Sequence, residues 1–381
     1  MTAEFAEAGV SEQAARAVRV CVVAPSPNLV GGQARQADLL VQGLRDDPSL
    51  RVGFIPHNPR LPGPFALLQR VKYVRTVATT AAYWSILVAK LWRFDVVHVF
   101  SASYYSYLLS ALPAVVIARL MGKRALLNYH SGEAEDHLAN WPLTAAPGMR
   151  LANRIVVPSG YLVDVFARYG LRAQSIANVV ELERFPYRAR TASQPVFLTN
   201  RHHEPLYNVP CALRAFAIIQ DRRPDARFIV AGDGSQRPAL ERLAREFGLR
   251  NIEFVGRVST DEMARLHAEA GVCLNASDID NMPVSIIECL SSGLPVVTTD
   301  AGGIPYIVRD GETALIVPRN DCTALAEAAL RVVDDPSLAV RLARNGRDAC
   351  NAFRWSQVRA RWRETYLSLA SVATPAGVDA R

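Results

Sequence analysis

The feature that most constrains this chain is an alternation that runs its course and then starts again. A short β-branched run, RVCVVA (19–24), meets Pro25 and then Gly31-Gly32, and is followed by ARQADLLVQGL, whose apolar residues recur at helical spacing. Strand, glycine-bearing loop and helix in that order form the opening unit of a doubly wound α/β sheet. Further strand-like runs follow as RVGFI (51–55), DVVHVF (95–100), ALLNYH (125–130) and RIVVPS (154–159), with helical stretches between them. The cycle restarts at PVFLTN (195–200), after the turn-rich ERFPYRARTASQ, and continues through ARFIVAGDG (226–234), NIEFVGRV (251–258), GVCLNAS (271–277), LPVVTTD (294–300) and ALIVP (314–318). Such alternation implies parallel strands joined by right-handed crossovers. The expectation is an α/β fold of two Rossmann-like domains facing across a cleft: residues 1–190, residues 191–355, and an amphipathic helix with a frayed tail over 356–381.

A chain of 381 residues, half of them hydrophobic, is long enough for two such cores. Its 43 Lys and Arg against 36 Asp and Glu give a formal charge of +7, which suits phosphate-bearing substrates or an anionic membrane surface. No basic stripe with interleaved aromatics appears, so nucleic acid is not an expected partner. Cys21, Cys211, Cys273, Cys289, Cys322 and Cys350 are scattered, mostly within apolar runs and without a C-x-x-C pair. They read as small buried hydrophobes in a reducing, cytoplasmic compartment. The N-terminal MTAEFAEAGVSEQAARAVR has no apolar core of the secretory type. Residues 77–92, VATTAAYWSILVAKLW, contain Lys90 and fall short of the ~20 apolar residues that cross a bilayer. With Arg75 and Arg93 beside it, this segment reads as a buried or interfacial helix.

In open parallel sheets ligands bind beyond the carboxyl ends of the strands, so the loops there are the candidates. Gly31-Gly32 lets backbone N–H groups approach an anion, although the pair is not the dinucleotide fingerprint G-x-G-x-x-G. Gly232-Asp-Gly234 admits either a similar role or a tight turn. His130 closes a strand and precedes Ser131-Gly132-Glu133, a functional position, whereas His98, His202 and His203 read as structural. The richest loop is SDIDNMPVSIIECLSSG (277–293). Asp278 and Asp280 resemble a metal-binding Asp-x-Asp. Pro283 lies near the first turn of the following helix and Gly293 at its end. The N-terminus of that helix offers free N–H groups to a diphosphate. Glu288, eight residues after Asp280 and among Ile286, Ile287, Cys289 and Leu290, can accept two hydrogen bonds from vicinal hydroxyls.

With DVVHV, PSGYLVDVF, NVVELERF, FVGRVSTDEMARLHAEA and AGGIPYIVRDGETALIVP, these pieces resemble the retaining GT-B glycosyltransferases of family 4 over nearly the whole chain. The family's acidic signature, Glu, seven residues, Glu, falls on Asp280 and Glu288. The resemblance implies that Glu288 holds the nucleotide ribose, that Asp280 contacts the donor sugar, and that Met282, Pro283, Val284 and Ser285 cradle the diphosphate. It adds Gly31, Gly32, Arg201, Gly232, Gly234, Arg257 and Val258 to the donor site, and His130 as the group that positions the sugar. It implies transfer from a nucleotide sugar to a glycan, lipid-linked or small-molecule acceptor, with retention, no cofactor and no metal. It also implies a final helix that returns to the first domain. Apart from the resemblance, the basic balance and the apolar segment 77–92 with Arg75, Lys90 and Arg93 fit a cytoplasmic enzyme at the inner face of the membrane, and a soluble small-molecule acceptor fits as well.

Three positions depart from the pattern. Asp280 is shorter than Glu by one methylene, about 1.5 Å. The segment NRHHEPLYNVP keeps Arg201 but has Tyr207 or Asn208 where the family places a Lys, removing one cation from the leaving diphosphate. Arg257, or Arg201 acting bidentately, is the expected compensation. Tyr306 stands where a Glu is common. The other readings are an epimerase of nucleotide sugars with the same architecture and a non-catalytic GT-B-like binding protein.

Overall fold

The computed structural model describes residues 16–28, 31–190 and 194–371. The secretory-core reading of the N-terminus thus falls mostly on residues outside the described ones, as does the tail reading beyond Ser371, and the boundary near residue 190 abuts the undescribed 191–193. Among the described residues, twelve strands form two six-stranded sheets. The first comprises β1 (Val18–Ala24), β2 (Leu50–Pro56), β3 (Val96–Ser101), β4 (Arg124–Tyr129), β5 (Arg154–Val157) and β6 (Ala173–Ser175), in the order β2-β1-β3-β4-β5-β6. The second comprises β7 (Val196–Thr199), β8 (Arg227–Ala231), β9 (Ile252–Gly256), β10 (Val272–Leu274), β11 (Val296–Thr299) and β12 (Leu315–Val317), in the order β12-β11-β10-β7-β8-β9. Every pairing between these strands is parallel.

The central strands read as continuous apolar runs because helices cover both faces. Val20 to Ala24 of β1 are all buried. Helix α1 (Gly32–Leu44) buries Ala34, Ala37, Leu40, Val41 and Leu44, one stripe at three- and four-residue spacing, against that sheet. Strand β6, AQS, was not expected: it is a three-residue edge strand with one neighbour and no apolar run to announce it. Strand β10 is shorter than GVCLNAS because Asn275 turns the chain, its side-chain oxygen accepting from the N–H (2.9 Å) and hydroxyl (2.7 Å) of Ser277.

The terminal helix Trp355–Ser371 packs on the first sheet, burying Val358, Trp362, Tyr366 and Leu369 beside Val20 and Val96. Tyr366 meets His98 Nδ1 at 2.7 Å, and the His98 ring lies between Phe100 and Trp362. His98 is therefore a fully buried core group. Arg359 and Arg363 of the same helix reach the buried Asp47 at 3.4 and 3.7 Å.

Candidate active site in the interdomain cleft

The acidic loop lies between β10 and the helix Val284–Ser291, with Pro283 at the N-cap. Its shape is set from outside. Gly303 donates its N–H to Asp280 O at 2.9 Å, and a Cβ on Gly303 would stand 1.7 Å from Asn281 O. Gly302, at φ 47°, likewise leaves no room for a side chain beside Asp280 O. The Ala-Gly-Gly turn is thus a backbone support for the acidic loop, and only glycine allows that approach.

Asp280 and Arg201 form a buried ion pair, with side chains 10% and 9% exposed. Asp280 also accepts from the Asn281 N–H at 2.9 Å, while Arg201 donates to Ser285 Oγ at 2.7 Å. Burial pushes the Asp280 carboxyl above its ordinary range, and Arg201 and the Asn281 N–H act against that rise. Tyr207 lays its ring 4.0 Å from the Arg201 guanidinium carbon. One of the two residues near the expected Lys, Tyr207, thus lays an aromatic face on the cation that is present. Asn208, in a left-handed conformation, caps the next helix and donates to Asp278 at 3.2 Å and Asn320 at 2.8 Å. Asp278 and Asp280 therefore have different partners. Among the described residues no group of three or more His, Cys, Asp or Glu is placed to hold a metal ion.

The loops enclose a cleft of about 500 Å³ lined by Gly32, His130, Arg201, Asp280, Glu288 and the segment Met282–Ser285. A second arm, about 230 Å³, is lined by Gly232, Arg257, Val258 and Thr260, and shares Arg35, Arg201, His202 and Glu288 with the first. Burial pushes the Glu288 carboxyl up to about 7, against the pull of Arg35 and Arg201. His130 follows β4, its backbone N–H donating to Ser101 O at 3.0 Å. Its ring stacks on Phe100, burial holds it down to about 4, and its buried Nε2 has no partner among the described residues. A neutral imidazole with one nitrogen free in a cleft can hydrogen-bond a hydroxyl without adding charge.

Two expected residues do not line the cleft. Gly31 is the N-cap of α1, and Gly234 packs behind the wall, where a Cβ would meet His203 O at 2.6 Å. Gly232 has both roles: it lines the second arm, and at φ 131° it presses on Arg201 O, where a Cβ would stand at 2.1 Å. His203 is buried beneath this turn, but His202, read as structural, lines both arms. Arg35 was also missed. It lies in the first turn of α1, pairs with Glu181 at 2.7 Å and reaches Thr260 of the second domain at 3.4 Å. Its position one helical turn past Gly31-Gly32 was the available signal. Tyr306 lies outside the cleft and donates to Asp164 of the first domain at 2.5 Å. Ser159 and Asn281 form another hydrogen bond between the domains.

Two family models match the chain, one per domain: "Glycosyltransferase Family 4" over residues 9–184 and "Glycosyl transferases group 1" over residues 194–335. Together they span both sheets and both walls of the cleft, and the chain belongs to the GT-B glycosyltransferases. It is similar to an alpha-D-kanosaminyltransferase from Streptomyces kanamyceticus, with 31% identity over 35% of this chain and 35% of that protein. It is similar to a glycogen synthase from Mycobacterium tuberculosis, with 26% identity over 73% of this chain and 69% of that protein. Its fold matches sucrose-phosphate synthase from Thermosynechococcus elongatus (TM-score 0.72, 19% identity, 93% of this chain and 100% of that one). It also matches Anabaena HepE solved with UDP-glucose (TM-score 0.70, 17% identity, 92% and 99%).

Proposed function

We propose that this glycosyltransferase moves a sugar from a nucleotide-sugar donor to an acceptor held mainly by the first domain, with retention of anomeric configuration and without a metal ion. The observation that carries the reading is the meeting of two cleft arms at Arg201 and Glu288, beside the N-terminus of the Val284–Ser291 helix. The first N–H groups of a helix have no intrahelical acceptor and carry partial positive charge, so a diphosphate is favoured there. Glu288 takes the vicinal hydroxyls of the ribose, and the nucleoside extends along Gly232, Arg257 and Val258. Arg201 faces the leaving diphosphate, while Asp280 holds Arg201 in place and approaches the donor sugar. His130 contributes the unpartnered Nε2 to a sugar hydroxyl.

In the transfer, the bond from the anomeric carbon to the diphosphate oxygen breaks and a bond to the acceptor oxygen forms. The acceptor proton passes to the departing phosphate oxygen. Contacts between the domains narrow the cleft and help exclude the water that would hydrolyse the donor. We further propose a cytoplasmic enzyme at the inner face of the membrane acting on a glycan, lipid-linked or small-molecule acceptor. Among the described residues no helix is long and apolar enough to cross a membrane.

The test is calorimetric titration with UDP-, GDP- and ADP-sugars, followed by mass spectrometry of the product and NMR of its anomeric proton. Binding of one donor class with a retained linkage, unaffected by EDTA, supports the reading. No binding to any of them at millimolar concentration sinks it, and interconversion of donor sugars without an acceptor identifies an epimerase instead.

A further inference from the structure

The excess positive charge of this protein is concentrated in one region. From Pro48 to Gly132 the chain has ten Lys and Arg and one carboxylate, Asp95, whereas acidic residues outnumber basic ones in the rest. Asp95 is occupied by Arg19 at 2.6 Å. Within the region, a 3₁₀ segment (Gly63–Arg70) and the helix α2 (Lys72–Lys90) follow the carboxyl end of the edge strand β2, the end at which the cleft opens. Helix α2 buries Tyr83 and Leu87 against the first domain and leaves a second apolar stripe uncovered. Tyr73, Val77, Trp84 and Val88 recur at helical spacing along one face, and Trp92 continues the line. Tyr73 is 79% and Val77 72% exposed, with Phe65 of the preceding segment 61% exposed. Arg70, Lys72 and Arg75 stand at one end of the stripe, and Lys90 and Arg93 at the other. None of these five forms an ion pair among the described residues.

We propose that this face docks on an anionic lipid bilayer, with α2 lying in the interface plane. The proposal deepens the membrane reading above and names the surface and the partner. Exposed aromatic and β-branched side chains with cations at both ends match a helix that seats its apolar face at the level of the headgroups. Tyr and Trp favour that depth, and the long Lys and Arg side chains reach back to lipid phosphates. A second copy of the chain is a poorer occupant, since like charges would meet across a twofold axis.

The experiment is flotation of the full chain with vesicles of phosphatidylcholine alone or with about 30 mol% phosphatidylglycerol, at low and high salt. Binding to the anionic vesicles, weakened by salt, is the expected result. Arg70→Glu/Lys72→Glu/Arg75→Glu should reduce partitioning by about a hundredfold, and Tyr73→Ser/Val77→Ser by about tenfold. Nucleotide titration of each variant checks that the fold and cleft are intact, because none of these residues lines either arm of the cleft. Failure of the unaltered chain to float with anionic vesicles overturns the proposal, as does binding that neither variant weakens. Concentration-dependent self-association lost in the same variants, with no flotation, assigns the face to a second copy and also overturns it. Flotation without nucleotide binding removes the transferase reading and leaves the docking face standing; nucleotide binding without flotation does the reverse.

Discussion

The two walls of the cleft are built on the same kind of sheet but hold their polar groups by opposite means. The second-domain wall buries charge: Arg201 and Asp280 neutralise each other, and glycines at 232, 302 and 303 let backbone press against backbone around them. The first-domain wall presents the neutral ring of His130, propped on Phe100, and the open turn at Gly32. A buried pair at the centre of a site gives a rigid electrostatic frame, but loss of either partner exposes the full cost of the other. A neutral group on a strand end can be removed with less damage to the fold.

Arg201→Ala should break this contrast most severely. It leaves Asp280 buried without its cation and should cost about 3–5 kcal/mol in urea unfolding, with most of the loss recovered by Asp280→Asn in the same chain. Equal stability of Arg201→Ala and the unaltered protein would mean that the pair is no structural anchor. Next in size are opposite pH dependences. Glu288, raised to about 7, keeps its proton in the folded state while the unfolded chain has lost it, so its contribution to stability falls as pH rises from about 4.5 to about 7. His130, lowered to about 4, stays neutral in the folded state while the unfolded chain binds a proton, so its contribution rises with pH from about 4 to about 6.5. Each amounts to up to about 3 kcal/mol. Difference curves for Glu288→Gln and His130→Gln should therefore slope in opposite directions, and parallel slopes would refute the contrast.

A third comparison sets Gly303→Ala against Gly132→Ala. The first forces a Cβ to 1.7 Å from a backbone oxygen, whereas the second meets the Cγ2 methyl of Ile279 at 3.1 Å. Displacing the acidic loop by a fraction of an ångström should slow transfer about a hundredfold in the first, whereas the half-exposed Ile279 needs to yield only slightly to the second, with a change of a few fold. Equal rates in the two variants would show that the Gly303 support does not position the site. The smallest effect belongs to Tyr207→Leu, which removes the ring over Arg201 and should weaken diphosphate binding by about 1 kcal/mol. Tyr207→Lys should instead tighten it, by adding a second cation.

Much of this is legible in the amino-acid sequence. The strands announced themselves as β-branched runs, except β6, whose AQS carries no apolar signal. The candidate residues of the acidic loop fall on one strand-to-helix turn, so local order alone grouped Asp280, Met282, Pro283 and Glu288. Arg35 and His202 escaped notice because a polar residue in a first helical turn, or beside a second histidine, reads the same whether it faces solvent or a cleft.

Periodicity is a local signal, and through it the amino-acid order determined two doubly wound sheets, their restart near residue 195, and the carboxyl-end loops where the chemistry gathers. Tertiary structure alone decided that Arg201 joins Asp280 across 79 positions, that the Tyr207 ring stacks on Arg201, and that Tyr306 leaves the cleft to meet Asp164. Those outcomes depend on which strands become neighbours and how closely two backbones pass. Side-chain type and spacing along one segment carry no record of either.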